Sequence, residues 1–68
     1  MENTTFLYDY EAAYEEGRED DAEIEMRRLG YTVLVVEPGE EVGYVFVKLD
    51  RVPTAIYPFL HKTDHFIL

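Results

Sequence analysis

Two groups of residues in this chain of 68 could carry chemistry, and both are built from acids and imidazoles. The first is His61-Lys62-Thr63-Asp64-His65. Histidines at i and i+4 share one face of a helix, the spacing at which two imidazoles can hold a zinc ion. Residues 64–68 are expected to be extended instead, which separates the rings, and two imidazoles do not complete a ligand set. His61 and His65 are therefore expected to be ordinary surface or interface histidines, with no metal and no cofactor.

The second group is Tyr14-Glu15-Glu16-Gly17-Arg18-Glu19-Asp20-Asp21-Ala22-Glu23-Ile24-Glu25. From Asp9 to Glu25, nine carboxylates stand against one base, Arg18, so this segment holds −8 of the chain's net −9. Acid–base catalysis by paired carboxylates needs one of them desolvated so that its pKa rises. The acids here crowd on a helical segment with little apolar cover. The chain has neither Ser nor Cys, which removes the commonest nucleophiles and the triads built on them. Gly17, Gly30, Gly39 and Gly43 each have a local structural use and form no phosphate loop. No enzyme is expected.

The elements that position these acids can be read in turn. Thr4-Thr5-Phe6-Leu7-Tyr8 is β-branched and aromatic and predicts a short strand. Asp9 suits an N-cap, with Glu11 in the first helical turn. The helical pattern runs to Leu29, where Arg27 and Arg28 suit the last turn and Gly30 the C′ position. The favoured expectation is one helix of about 20 residues, roughly 30 Å long. The alternative is two short helices broken near residues 17–20. Gly17 costs about 1 kcal/mol in a helix interior, and Asp20-Asp21-Ala22-Glu23 fits a capping box. On a single helix the apolar stripe drifts from Tyr10, Ala13, Tyr14 and Ile24 toward Ala22, Met26 and Leu29.

Tyr31 to Glu37 is the strongest strand pattern, and Pro38-Gly39 fits the centre of a type II turn. Val42 to Leu49 follows as a second strand, giving an antiparallel hairpin that is apolar on both faces. One face would meet the helix and the other the C-terminal segment or a second subunit. Val52 to Tyr57 is expected as an edge strand containing Pro53, and Pro58 as the start of one helical turn through Lys62. The apolar residues His65-Phe66-Ile67-Leu68 are expected to dock as a strand or in an interface. The fold class is thus α+β, a single domain over residues 1–68. One acidic N-terminal helix, broken near Gly17 in the alternative, packs on a small antiparallel sheet of three to four strands.

Composition narrows the setting. Without Cys there are no disulfides, and nothing points to an oxidising compartment. Met1 to Thr5 lacks the basic start and apolar core of a signal peptide. No apolar run approaches the roughly 20 residues of a membrane span, so a cytoplasmic location is expected. Asn3-Thr4-Thr5 matches a glycosylation pattern by chance. A net charge of −9 repels phosphate backbones and anionic lipid, so neither direct nucleic-acid binding nor membrane binding is expected. A basic protein surface would be attracted.

A solvated face alone would explain the sign of the charge. On one helix, however, Glu11–Glu15, Glu15–Glu19, Glu16–Asp20 and Glu19–Glu23 are like-charge pairs at i,i+4, each destabilising by a few tenths of a kcal/mol. That cost motivates a binding role, with Glu11, Glu15, Glu16, Glu19, Asp20 and Glu23 as contacts and Tyr14 as an aromatic anchor. By the usual burial of tyrosine rings Tyr10, Tyr14, Tyr31 and Tyr44 are expected at the core or its edge, and Tyr8, Tyr14 or Tyr57 becomes an anchor if exposed beside the acids. In size and charge the chain resembles small acidic proteins of phages and mobile elements that act against host nucleic-acid enzymes, CRISPR effectors among them. That resemblance implies an inhibitor that mimics nucleic acid on a basic partner. A different class also fits: a small homo-oligomeric structural or accessory subunit, a homodimer joined through its apolar sheet.

Overall fold

The computed structural model of the chain describes residues 2–68. Its elements are β1 (Thr5–Asp9), α1 (Tyr10–Glu15), α2 (Ala22–Arg28), β2 (Val33–Pro38), β3 (Tyr44–Leu49) and β4 (Leu60–Lys62). The four strands form one antiparallel sheet in the order β2-β3-β1-β4. This is a small mixed α/β architecture with two short helices, not the single long helix favoured from the sequence.

The break has a chemical cause that is repeated. Asp9 caps α1, its Oδ1 accepting from the Ala12 amide at 3.2 Å. Asp21 caps α2, accepting from the amides of Glu23 at 3.0 Å and Ile24 at 3.2 Å. At the far ends, Gly17 N–H donates to the Tyr14 carbonyl and Arg18 N–H to that of Ala13. Gly30 N–H donates to Arg27 and Tyr31 N–H to Met26. Both are Schellman closures with glycine at C′, and Gly17 takes φ +73 where a side chain is disfavoured. Gly17 therefore ends a helix and does not weaken the middle of one.

Pairing register sorts the sheet's faces. Phe6↔Val47, Tyr8↔Val45 and Tyr8↔Leu60 share the face that the helices cover. There Phe6, Tyr8, Val47 and Leu49 form the core with Ala13, Ala22 and Met26 from the helices, and with Tyr31 and Phe59. Tyr8 and Phe59 meet edge-to-face at 5.3 Å between ring centroids, the arrangement aromatic quadrupoles prefer.

On the opposite face lie Thr5, Leu7, Phe46, Lys48 and His61, brought together by the same register. The C-terminal segment crosses this face, as one of the two expectations had it, but not as a strand. His65 stacks on Phe46 at 4.2 Å. Ile67, nearly buried, donates its N–H to Thr5 Oγ1 at 3.1 Å, and its carbonyl accepts from Lys48 Nζ at 2.7 Å. Asn3 Nδ2 donates to the carbonyls of Thr63 and His65. A segment that crosses strands cannot extend their ladder, so side chains supply these bonds.

Other expectations also change. Pro38 ends β2, and Gly39 is not in the left-handed region. The chain reverses over residues 39–43, with the positive φ at Gly43. Gly39 is required for closeness: a Cβ there would lie 2.7 Å from the Tyr44 carbonyl oxygen. Residues 52–57 form no strand, since Pro53 and Pro58 each withhold an N–H from any ladder. After a turn at residues 58–59 the chain enters β4, so no helical turn begins at Pro58. No helix among the described residues is long and apolar enough to cross a membrane.

A polar clamp ties the end of α2 to the end of β3. The Asp50 carboxylate accepts from the Thr32 amide at 3.1 Å, and Arg51 bonds both Asp50 and the Gly30 carbonyl while its guanidinium lies 4.5 Å from the Tyr31 ring centroid. The Thr32 amide first, and Arg51 beside it, hold the Asp50 carboxyl below its usual range. A carboxyl lowered on folding adds stability above its unfolded pKa, and that stability is lost as pH falls through the folded value. Acid titration monitored by denaturant midpoint is expected to show Asp50→Asn less stable than the parent near neutrality, the gap closing as the pH drops below the ordinary aspartate range. Gly17→Ala supplies a second test. Its Cβ would meet nothing within 4 Å, so only the backbone conformation opposes it. A loss of about 1 kcal/mol in urea denaturation is expected, whereas a continuous helix through Gly17 would gain about that much.

Candidate functional site

The predicted binding residues divide once the chain folds. Glu11, Tyr14 and Glu15 lie on α1, Glu16 is its C-cap, Glu19 and Asp20 lie in the inter-helix turn, and Glu23 is on α2. Of the like-charge pairs, only Glu11–Glu15 stays within one helix. On α2 the i,i+4 partner of Glu23 is Arg27, at 2.8 Å. The repulsion expected along a single helix is largely removed by the break.

One of the nine acids of this segment does not stand at the surface at all. Glu25 is 0% exposed. It occupies the apolar stripe Ala22, Glu25, Met26, Leu29, at the i, i+3, i+4, i+7 spacing that faces a core. Arg28 Nη1 approaches its Oε2 at 3.4 Å and Arg18 Nη1 its Oε1 at 3.7 Å. The Glu19 amide donates to Oε2 at 3.4 Å. Arg28 also reaches Glu19 Oε1 at 3.2 Å. The Tyr8 hydroxyl, rising from the sheet, donates to the Glu19 carbonyl at 2.9 Å. Burial, with Glu25 close by, pushes the Tyr8 phenol well above its ordinary range, so it remains a donor. The turn between the helices is thus fixed to α2 and to the sheet.

Glu19 and Glu23 are thus paired with arginines of the same chain at its surface. Glu11, Glu15, Glu16 and Asp20 are exposed, and among the described residues no Lys, Arg or His nitrogen lies within 4 Å of them. Tyr14 stands among them at 76% exposure, an exception to the expected core-edge placing of tyrosines. Tyr31 is buried, and Tyr10 and Tyr44 are half-buried. Arg27 and Arg28 pair with Glu23 and Glu19 at the surface, and Arg18 and Arg28 also approach buried Glu25, which leaves an acidic patch without internal compensation.

The histidines do not converge. His61 Nε2 lies 4.0 Å from Asp9 Oδ2, and His65 Nε2 lies 3.4 Å from Glu37 Oε1. Among the described residues no group of three or more His, Cys, Asp or Glu is arranged to hold a metal ion. Compared with known family models, curated proteins and solved structures, the chain matches none.

Replacing Glu25 tests the internal role. Glu25→Gln keeps the shape but leaves two guanidiniums without their buried partner. Breaking a fully buried pair costs about 3–5 kcal/mol, and the partial exposure of both arginines reduces this to about 2 kcal/mol. Thermal or urea unfolding is expected to show that loss, together with faster amide exchange at Glu19, whereas Glu15→Gln is expected to change stability by less than about 0.5 kcal/mol.

Proposed function

We propose that the chain is a non-catalytic binding module that docks its acidic patch on a basic protein surface, one that ordinarily holds nucleic acid. The observation that carries this reading is the uncompensated set Glu11, Glu15, Glu16 and Asp20 around exposed Tyr14, next to arginines that lie against Glu19, Glu23 and Glu25 instead. Carboxylates one helical turn apart lie about 6 Å from each other along the axis, a spacing that can engage lysines and arginines which otherwise meet phosphates. An aromatic side chain at the centre of such a patch supplies apolar contact that charge alone lacks. The module would act as a nucleic-acid mimic and inhibitor of its partner, as small anti-defence proteins of phages and mobile elements do. Glu19 and Glu23 flank this set at the surface, each already paired with an arginine of the same chain.

The test is competitive capture. Immobilised protein should retain a basic partner from a lysate and release it to excess duplex DNA or heparin. The variant Glu11→Gln/Glu15→Gln/Glu16→Gln/Asp20→Asn, folded by circular dichroism, should retain at least about tenfold less, since each exposed charge contact is worth about 0.2–1 kcal/mol. Retention by the variant, or a partner indifferent to DNA, would sink the reading.

A second reading, a homo-oligomeric subunit, draws on β2. It is an edge strand, and Leu34 and Val36 on it are exposed, although the irregular register between Val33 and Val35 blunts such an edge. Sedimentation at micromolar concentration should then give a dimer of the 8.0 kDa chain that Val36→Lys dissociates. A monomer removes this reading.

A further inference from the structure

The face of the sheet opposite the helices carries a cleft that the acidic patch does not use. It has a volume of about 710 Å³, within the range of small-ligand sites, and lies between the 39–43 loop and the C-terminal segment. Leu7, Tyr44 and Phe46 supply its apolar and aromatic surface, and Glu40, Glu41 and Asp64 its carboxylates. His61, Thr63 and His65 complete the lining, and no Lys or Arg belongs to it. None of the three carboxylates has a Lys, Arg or His nitrogen within 4 Å among the described residues.

Both walls are held before any ligand arrives. On one side Gly39 N–H donates to the Tyr44 carbonyl at 3.0 Å and Tyr44 N–H to the Glu41 carbonyl at 3.3 Å, which sets Glu40 and Glu41 beside the Tyr44 ring. The close pass of Gly39 over Tyr44 leaves no space for a side chain there. On the other side, Asn3, Thr5 and Lys48 pin the C-terminal segment, and His65 is stacked on Phe46.

We infer that this cleft binds an aliphatic organic cation, an alkylguanidinium or alkylammonium group. The carboxylates select positive charge. The Leu7 and Phe46 surface favours a cation carried on carbon over a bare metal ion, and an aromatic ring beside the charge adds cation–π attraction. The group could arrive as a free amine or as an arginine side chain of a peptide; the chemistry is the same. The site is independent of the α1 patch.

The test is a titration of the intact chain, followed by NMR, with agmatine as the free cation and Nα-acetyl-arginine amide as the side-chain form. Pentylurea serves as a neutral control. Saturable shifts at Leu7, Tyr44 and Phe46 are expected with either cation and not with pentylurea, with whichever binds more tightly identifying the source. The variant Glu40→Gln/Glu41→Gln/Asp64→Asn, whose substitutions are all at exposed positions, should weaken binding by about tenfold. The α1 variant described above should bind unchanged. Absence of saturable shifts overturns the inference, as do equal shifts with pentylurea or undiminished binding by the cleft variant. Shifts centred on Glu15, Glu16 and Asp20 would also overturn it while leaving the acidic patch as a cation-attracting surface.

Discussion

The structure depends on the burial of one carboxylate, Glu25. Removing an ionised group from water costs several kcal/mol, so it persists only where opposite charge and donors meet it. Here Arg28 and the Glu19 amide meet Oε2, while Oε1 accepts no hydrogen bond and has only the Arg18 guanidinium near it, at 3.7 Å; two of those three groups come from the turn between the helices. These contacts hold Arg18 and Glu19 of that turn against α2. The Tyr8 hydroxyl secures the same turn from the sheet side. Sheet, turn and second helix are joined at a point where a domain of this size has little apolar surface to spare.

That point also governs the surface. Because the arginines pair with Glu19, Glu23 and Glu25, uncompensated negative charge collects on α1 and the start of the turn. The same chain carries a second acidic region, the rim of the cleft, on the far side of the sheet. The two differ in kind. One surrounds a single exposed ring, Tyr14, on α1 and the turn after it, and the other lines a cleft that also holds Leu7, Tyr44 and Phe46. Mutual repulsion among these acids opposes the compact state, and the Asp50–Arg51 clamp is among the contacts that offset it.

Much of the fold was legible where local chemistry decides it. Asp9 and Gly30 were readable as helix ends, and three of the strands and the antiparallel hairpin as β structure. Gly17 was misjudged because a glycine within a periodic stretch has two meanings, and the Asp21 cap that resolves them is itself compatible with a continuous helix. Glu25 was hidden by counting charge along the chain and not around the helix; its place beside Ala22, Met26 and Leu29 was the available signal. The C-terminal segment gave less to read. Whether apolar residues add a strand or cross a face depends on distant partners, here Asn3, Thr5, Phe46 and Lys48. The cleft could not be read at all, since its walls come from the two ends of the chain and a loop between them.

The strand order has a consequence for how this chain reaches its structure. β1 lies inside the sheet, with Phe6 paired to Val47 on one side and to Lys62 on the other, about 40 and about 55 residues further along. β1 must therefore wait for β3 and β4 to complete its pairing. The two capped helices can form from neighbouring residues, but the surface they cover does not exist until β3 and β4 have flanked β1. Closing such long loops is entropically costly before any contact rewards it. Folding is thus set by one late, all-or-none event, and a nascent chain lacking residues 44–62 presents bare strand edges to whatever lies nearby.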